Sequence, residues 1–257
     1  NIKAKVMSNK FAAIAVSLLI LGSAAGVVRA AEKPAPGLLL PLSCGLGQDC
    51  WIVNYNDSNA AAGSAADYRC GALTYDGHDG TDFAVRDRAV MDAGVDVLAA
   101  AAGKVLRVRD GVGDSEPSAE ELEKMKADKK GCGNGVFIEH ENGWQTIYCH
   151  LKQGSIAVKP GKRVSTGEKI GQVGHSGMAE FPHLHFGVLH NGTMIDPFTG
   201  RESNGACGGE NQPLWLEGLN TAYAPVTLYA AGFEGGVPDF SAIKGSAAGA
   251  QTLKPQL

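Results

Sequence analysis

Two short histidine motifs contain the side chains best suited to chemistry in this chain. The first is HDGTD at residues 78–82, and the second is HLH at residues 183–185. A further histidine, His150, lies between them in the run YCHL. Two imidazoles and a carboxylate can bind Zn²⁺, and three protein ligands leave a fourth position for water, as in catalytic zinc centres. The motifs therefore predict a zinc hydrolase.

The second motif predicts a β-strand. Residues two apart on a strand share a face, so the imidazoles of His183 and His185 would converge while Leu184 turns into the core. Phe186 continues the alternation. An HxH pattern also occurs as an ordinary surface pair, so this motif alone is only moderately specific for a metal.

The first motif predicts a loop or an extended segment. Gly77 and Gly80 disfavour a helix here, and on a strand or loop the side chains of His78 and Asp82 can point the same way. A lone HxxxD pattern also fits a surface hydrogen bond, whereas the two motifs together favour a shared metal site. Asp79, inside the motif, is expected to be solvated.

The two motifs belong to a longer series of segments between residues 75 and 200. In chain order these are GHDGTD (77–82), GNGV (133–136), YCHL (148–151), a glycine-punctuated run (158–174), SG (176–177), PHLHF (182–186) and IDP (195–197). The series resembles the lysostaphin-type (LytM-like) peptidoglycan zinc metallopeptidases. The resemblance implies an all-β fold, mainly antiparallel β-sheet of the duplicated hybrid motif type.

The resemblance also implies a role for each site residue. His78, Asp82 and His185 are expected to ligate one Zn²⁺ per chain, and His150 and His183 are expected to be catalytic residues beside the attacking water. Which of these two imidazoles accepts the water proton and which donates to the oxyanion stays open. The implied activity is hydrolysis of the peptide cross-links of bacterial peptidoglycan, whose stem peptides would be the substrate.

Two other classes of protein share parts of this pattern. A catalytically latent wall-binding regulator of other cell-wall hydrolases would have the same fold, but all five site residues are present here, which favours an enzyme. The run 158–174 also resembles the hairpins of lipoyl and biotinyl carrier domains, yet it lacks a Met-Lys-Met-like turn. The bond that is cut, the oligomeric state and any regulatory protein partner stay open.

Composition and charge narrow the class further. The 257 residues are 44% hydrophobic, which is enough for one core and an accessory segment. The 35 glycines and the 7% of aromatic residues are typical of a turn-rich all-β domain. Removing the four basic residues of 1–30 takes the net charge from −4 to −8. Nucleic acid is therefore not expected as a partner, and the charge gives no support for binding to an anionic membrane.

The N-terminal 30 residues resemble a signal peptide. Three lysines precede an apolar run at residues 11–21, and Val28 and Ala30 suit the −3 and −1 positions of a cleavage site. The run is too short to span a bilayer comfortably. We therefore expect an exported protein of the periplasm or the extracellular space, without stable membrane insertion after cleavage.

Six cysteines behind an export signal predict disulfides. The absence of a CxxC pattern disfavours a cysteine zinc site, and six cysteines allow 15 pairings. Cys132 and Cys149 flank a predicted hairpin of strands at 136–140 and 145–149, turned at 141–143, which suggests that these two are paired. The partner of Cys207 stays open.

The chain after the signal peptide is expected to have three parts. Residues 31–74 read as a disulfide-pinned segment without a core of its own, and residues 75–200 read as the metallopeptidase domain. Residues 111–130 are a predicted helical insertion in that domain, because Ser118 and Glu121 form a capping-box pattern. Residues 201–257 are a tail or the start of a further module, with a possible strand at 226–229.

Three further histidines are weighed as minor candidates. His140 ends a predicted strand and is expected to be structural. His175 lies in a loop near the site, and His190 precedes a turn and is expected to be exposed and inert.

Overall fold

The computed structural model describes residues 35–216 and Tyr223, and antiparallel β-strands dominate this part of the chain. The strands are β1 (Cys50–Asn54), β2 (Thr81–Val85), β3 (Asp96–Leu98), β4 (Gly103–Arg109), β5 (Asn134–Glu139), β6 (Trp144–Leu151), β7 (Arg163–Val164), β8 (Lys169–Gln172), β9 (His183–His190), β10 (Thr193–Asp196) and β11 (Arg201–Glu202). The helices are α1 (Arg88–Ala93) and α2 (Ala119–Ala127). The prediction of an all-β fold with a short helical insertion is confirmed.

Most of these strands join one sheet. Its order is β1-β2-β9-β6-β5-β4-β7, with β10 and β11 continuing from β9, while β3 and β8 form a separate pair. Every pairing between these strands is antiparallel. The long strands β6 and β9 lie at the centre of the sheet beside β2. The sheet therefore brings both histidine motifs and the YCHL run onto neighbouring strands.

The alternation of the central strands explains where the core lies. Leu184 and Phe186 of β9 are fully buried beneath the sheet, as are Phe83 of β2 and Tyr148 of β6. The rings of Phe83 and Phe186 also pack against Trp215. Full burial of such side chains contributes about 1.5–3 kcal/mol each, so these side chains anchor the strands that carry the histidines.

The segment 31–74 is more closely tied to the sheet than its sequence suggests. Residues 50–54 form β1, which pairs with β2 along most of its length. Three disulfides are present among the described residues, namely Cys44–Cys50, Cys70–Cys207 and Cys132–Cys149. The predicted Cys132–Cys149 pair is confirmed, and Cys207 bridges the segment 31–74 to the residues after β11.

The helical insertion is present and shorter than predicted. Helix α2 begins after Ser118, whose side chain and that of Glu121 form the expected capping box. None of the α2 residues is buried, so the helix presents charged side chains to solvent. Helix α1 was not predicted; Asp87 caps its first turn through the amide of Val90.

Two sequence predictions about the chain ends are not addressed by this fold. The signal peptide at 1–30 and the strand at 226–229 lie outside the described residues. Within residues 35–216, neither helix has the length and apolar character needed to cross a bilayer.

Candidate metal centre

Neighbouring strands bring the predicted site residues together. The register of β2 against β9 sets Asp82 opposite His185 and Ala84 opposite His183. On the other side of β9, Cys149 of β6 is opposite His185, so the next residue, His150, comes to the same end of the sheet. His78 reaches the cluster from the turn that precedes β2. Residues far apart in sequence thus converge through strand register.

Three side chains face one point. The Nε2 atom of His78 lies 3.1 Å from Oδ1 of Asp82, and Nδ1 of His185 lies 3.0 Å from the same oxygen. The two imidazole nitrogens are 3.2 Å apart. These three atoms lie within 4.8 Å of one another, as the ligands of one metal ion would. Two imidazole nitrogens and a carboxylate oxygen, on side chains that are largely buried, form a donor set that suits Zn²⁺.

A second set of three metal-ligating residues lies within 4.8 Å elsewhere, at Cys44, Asp49 and Cys50. Its two sulfur atoms are joined in a disulfide. Thiolates are the species that bind metals, so this group does not offer a ligand set. Among the described residues, the cluster of His78, Asp82 and His185 is therefore the candidate metal centre.

Outer contacts orient the three candidate ligands. The Nδ1 atom of His78 donates to the carbonyl of Tyr55 at 2.7 Å, which directs Nε2 toward the centre. The side-chain amide of Asn54 donates to Oδ2 of Asp82 at 3.0 Å, which leaves Oδ1 facing the imidazoles. Contacts of this kind fix ligand tautomer and rotamer in metal sites. Both supporting residues come from β1 and the residue after it.

Two further side chains border the centre on its exposed side. The Tyr75 ring packs on that of His78 with centroids 4.3 Å apart, and about half of Tyr75 is exposed. The carboxylate of Asp79 lies 3.3 Å from Nε2 of His185, although 65% of the Asp79 side chain is exposed. The expectation of a simply solvated Asp79 is therefore incomplete, because it also contacts the ring of His185.

His150 and His183 flank the three candidate ligands. Their rings are 4.7 Å apart, and Nε2 of His183 is 3.7 Å from Oδ1 of Asp82. In each ring, Nδ1 donates to a backbone carbonyl at 2.8 Å, that of Ser176 for His150 and that of Phe181 for His183. Since a carbonyl oxygen only accepts, each neutral ring carries its lone pair on Nε2. The two lone pairs are thus available beside the centre.

The electrostatics of the cluster favour a cation. Burial would raise the pKa of Asp82, but charge interaction with His183 and hydrogen bonds from His185 and His78 hold that pKa well below its usual value. Burial would lower the pKa of His185, but the carboxylates of Asp79 and Asp82 outweigh it and raise that pKa to about 10. The carboxylates therefore hold a proton on His185 that a metal ion could displace.

The pKa values of the two flanking histidines are lowered, in contrast with that of His185. Burial is the main cause that lowers the pKa of His150 well below its usual value, and nearby imidazoles add to it. Burial also lowers the pKa of His183, against the opposing effect of Asp82. Both rings are therefore neutral near pH 7 and can accept a proton.

The structure brings all five predicted site residues together. Sequence reasoning missed Asn54 and Tyr55 because it separates residues 31–74 from the domain, and it missed Tyr75 because a single tyrosine before the first motif gives no pattern. The three minor histidines are held elsewhere. His140 bonds to Ala102 and Thr146, and His175 bonds to Arg88 and Ala179.

The prediction that His190 is exposed and inert was wrong in its first part. The ring of His190 is half-buried and stacks on Trp144 with centroids 4.3 Å apart. Trp144 faces His190 across the β6–β9 pair, which explains the contact. The ring of His190 therefore packs on Trp144 and is separate from the five clustered side chains.

Sequence comparisons relate part of this chain to a known protein family. Residues 76–197 match Peptidase family M23. The chain is 34% identical over 119 residues to Peptidoglycan DD-endopeptidase ShyA of Vibrio cholerae, which is 46% of this chain and 22% of that protein. It is 41% identical over 80 residues to DD-carboxypeptidase/endopeptidase Mpg of Neisseria meningitidis, which is 31% of this chain and 18% of that protein.

Among solved structures, the catalytic domain of lysostaphin from Staphylococcus simulans is 25% identical and gives a TM-score of 0.35, with coverage of 56% of this chain and 86% of that chain. The matched segments span at most 22% of the length of the two curated relatives. The resemblance found in the sequence is confirmed by the match of residues 76–197, slightly less than half of the chain, to Peptidase family M23.

Proposed function

We propose that this chain is an exported, zinc-dependent endopeptidase that hydrolyses the peptide cross-links of bacterial peptidoglycan. The observation that supports it best is the convergence of His78, Asp82 and His185 on one point, with His150 and His183 beside it. In this proposal the first three residues hold one Zn²⁺ and the last two are catalytic. The donor set, its burial and its negative carboxylate all suit a divalent cation.

Zinc would supply Lewis acidity, which polarises the scissile carbonyl and makes water a stronger nucleophile near neutral pH. The protein supplies orientation and proton transfer. His150 and His183 present Nε2 lone pairs, so either can accept the proton of the attacking water. Once protonated, the same imidazole can donate to the oxyanion or to the leaving amine.

Substrate and location rest on two further observations. The relatives that match include proteins named as peptidoglycan DD-endopeptidases. The match to Peptidase family M23, at residues 76–197, contains the five clustered residues. Three disulfides among residues 35–216 are typical of an oxidising compartment, in keeping with the predicted signal peptide. We therefore propose the cell envelope as the site of action and stem peptides as the substrate.

The test is digestion of purified sacculi by residues 31–257. Soluble products are read by mass spectrometry, with and without a zinc chelator and with zinc added back. We expect conversion of cross-linked dimers to monomers that the chelator stops and zinc restores, and the new termini identify the bond that is cut.

Two variants on β9 make the test specific. His185→Ala should stop the reaction, whereas His190→Gln should not, because His190 packs on Trp144 outside the cluster. A protein that binds one zinc but releases no product from sacculi of any wall type would refute the enzymatic proposal and favour a latent wall-binding regulator.

A further inference from the structure

The backbone of His150 adopts an unusual conformation. Its φ is +61°, in the left-handed region, at the end of β6. Residues with a Cβ rarely adopt this conformation, and they keep it only where the surrounding structure holds them. His150 is also buried, with 7% of its surface exposed. Something in the surrounding structure must therefore fix this residue.

Two hydrogen bonds fix His150 from opposite ends. Its backbone amide donates to the carbonyl of Cys132 at 2.8 Å, and its Nδ1 atom donates to the carbonyl of Ser176 at 2.8 Å. The first bond holds the backbone in place. The second decides the tautomer, so that Nε2 keeps the lone pair on the side of the ring away from Ser176.

Both acceptors belong to one tightly connected region. Cys132 is bonded through its sulfur to Cys149, the residue just before His150. The amide of Asn134 donates to the Ser176 hydroxyl at 2.9 Å. Between them, Gly133 lies so close to residue 176 that an added Cβ would come within 2.5 Å of its carbonyl carbon. Residues 132–134 therefore link the backbone of β6 to the loop that orients the imidazole.

We propose that the Cys132–Cys149 disulfide is a positioning element for His150, a role that rests on the proposed function of this site. The bridge joins Cys132 directly to Cys149 of β6, the residue before the left-handed His150. Without it, the carbonyl of Cys132 can move away from the His150 amide. The backbone can then relax toward an ordinary extended strand, and Nε2 leaves its place beside His183.

The experiment compares two disulfide knockouts in the full chain. Cys132→Ser/Cys149→Ser removes the proposed positioning bridge, and Cys44→Ser/Cys50→Ser removes a bridge outside the site. We expect the first variant to bind one zinc, to keep KM for a soluble cross-linked peptide within twofold, and to lose at least tenfold in kcat. The control should stay within twofold of the unmodified protein in all three values.

A second measurement does not depend on activity. Long-range ¹H–¹⁵N spectra of the imidazoles should show His150 protonated on Nδ1 alone in the unmodified protein and in the control, and a mixture of tautomers in Cys132→Ser/Cys149→Ser. An unchanged tautomer or an unchanged kcat in that variant would overturn the proposal. Loss of kcat together with zinc loss or unfolding at the assay temperature would also overturn it.

Failure of the proposed function gives a different pattern. In that case the unmodified protein itself would release no product, and the tautomer comparison alone would decide whether the bridge positions His150.

Discussion

Asp196 is a buried carboxyl group whose ionisation should change the free energy of unfolding. Its side chain is 1% exposed, Oδ1 accepts the amide of Phe198 at 2.8 Å, and Oδ2 has no partner among the described residues. Burial is the main cause that raises the pKa of Asp196 from 3.8 to about 7. Replacing Asp196 with asparagine keeps the shape and the acceptor for Phe198, and it removes the ionisation.

The sign and size of the effect follow from this pKa. Below pH 3.8 both the folded and the unfolded chain hold the proton, so the folded state keeps the full advantage of a neutral carboxyl. As the pH rises through 7 that advantage is lost, and the loss approaches about 4 kcal/mol at 1.36 kcal/mol per pKa unit. Relative to wild type, Asp196→Asn should therefore become more stable by up to that amount between pH 4 and pH 8.

Urea denaturation at a series of pH values measures this directly. The side-chain amide that the substitution introduces at position 196 lacks a partner for its NH₂ group, which costs about 1–3 kcal/mol at every pH. The informative quantity is therefore how the difference between variant and wild type changes with pH. Asp92→Asn is the matched control, since 61% of the Asp92 side chain is exposed. A difference for Asp196→Asn that stays flat within about 1 kcal/mol from pH 4 to pH 8 would refute the reasoning.

Three further outcomes follow from the site and the disulfides. His185→Ala should abolish metal binding, whereas His183→Ala should keep the metal and lose activity. Metal analysis together with sacculus digestion checks both variants, and the reverse pattern would exchange the roles of the two residues. Asn54→Ala should weaken metal affinity about tenfold, because the ligand carboxylate loses the donor to its outer oxygen, and competition with a chelating dye measures this. Removing the Cys70–Cys207 disulfide by paired serine substitutions should lower the free energy of unfolding by about 5 kcal/mol, because a bridge that spans 137 residues restricts the entropy of the unfolded chain. Chemical denaturation measures this, and a loss under about 1 kcal/mol would contradict the argument.

The fold was predictable where its signal is local. The apolar alternation at 136–140 and 145–149, with an Asn-Gly turn between, leads to β5 and β6. The capping box at Ser118 marks the start of α2. Strand β1 was missed because its alternation is short and cysteines, glycines and polar residues surround it. Its place in the sheet depends on pairing with β2, which has no local signal.

The sequence likewise predicts only part of the candidate site. The side chains that converge could be named from the two histidine motifs and the YCHL run, and the family resemblance implied their roles. The spacing of His183 and His185 is regular on a strand, whereas His78 reaches the cluster from a turn. The contacts that orient them come from Asn54, the carbonyl of Tyr55 and the carbonyl of Ser176. A backbone carbonyl has no residue type that marks it, and a single asparagine gives no pattern. Such partners can be found only after the strands have been assembled.

Helix α2 is a segment in which substitutions should be tolerated. Its nine residues contribute no buried side chain, and the capping box holds its start without help from the core. Substitutions along its length therefore leave the sheet and the metal centre untouched. The helix is therefore a suitable position for grafting a binding peptide or a fluorescent label onto the domain.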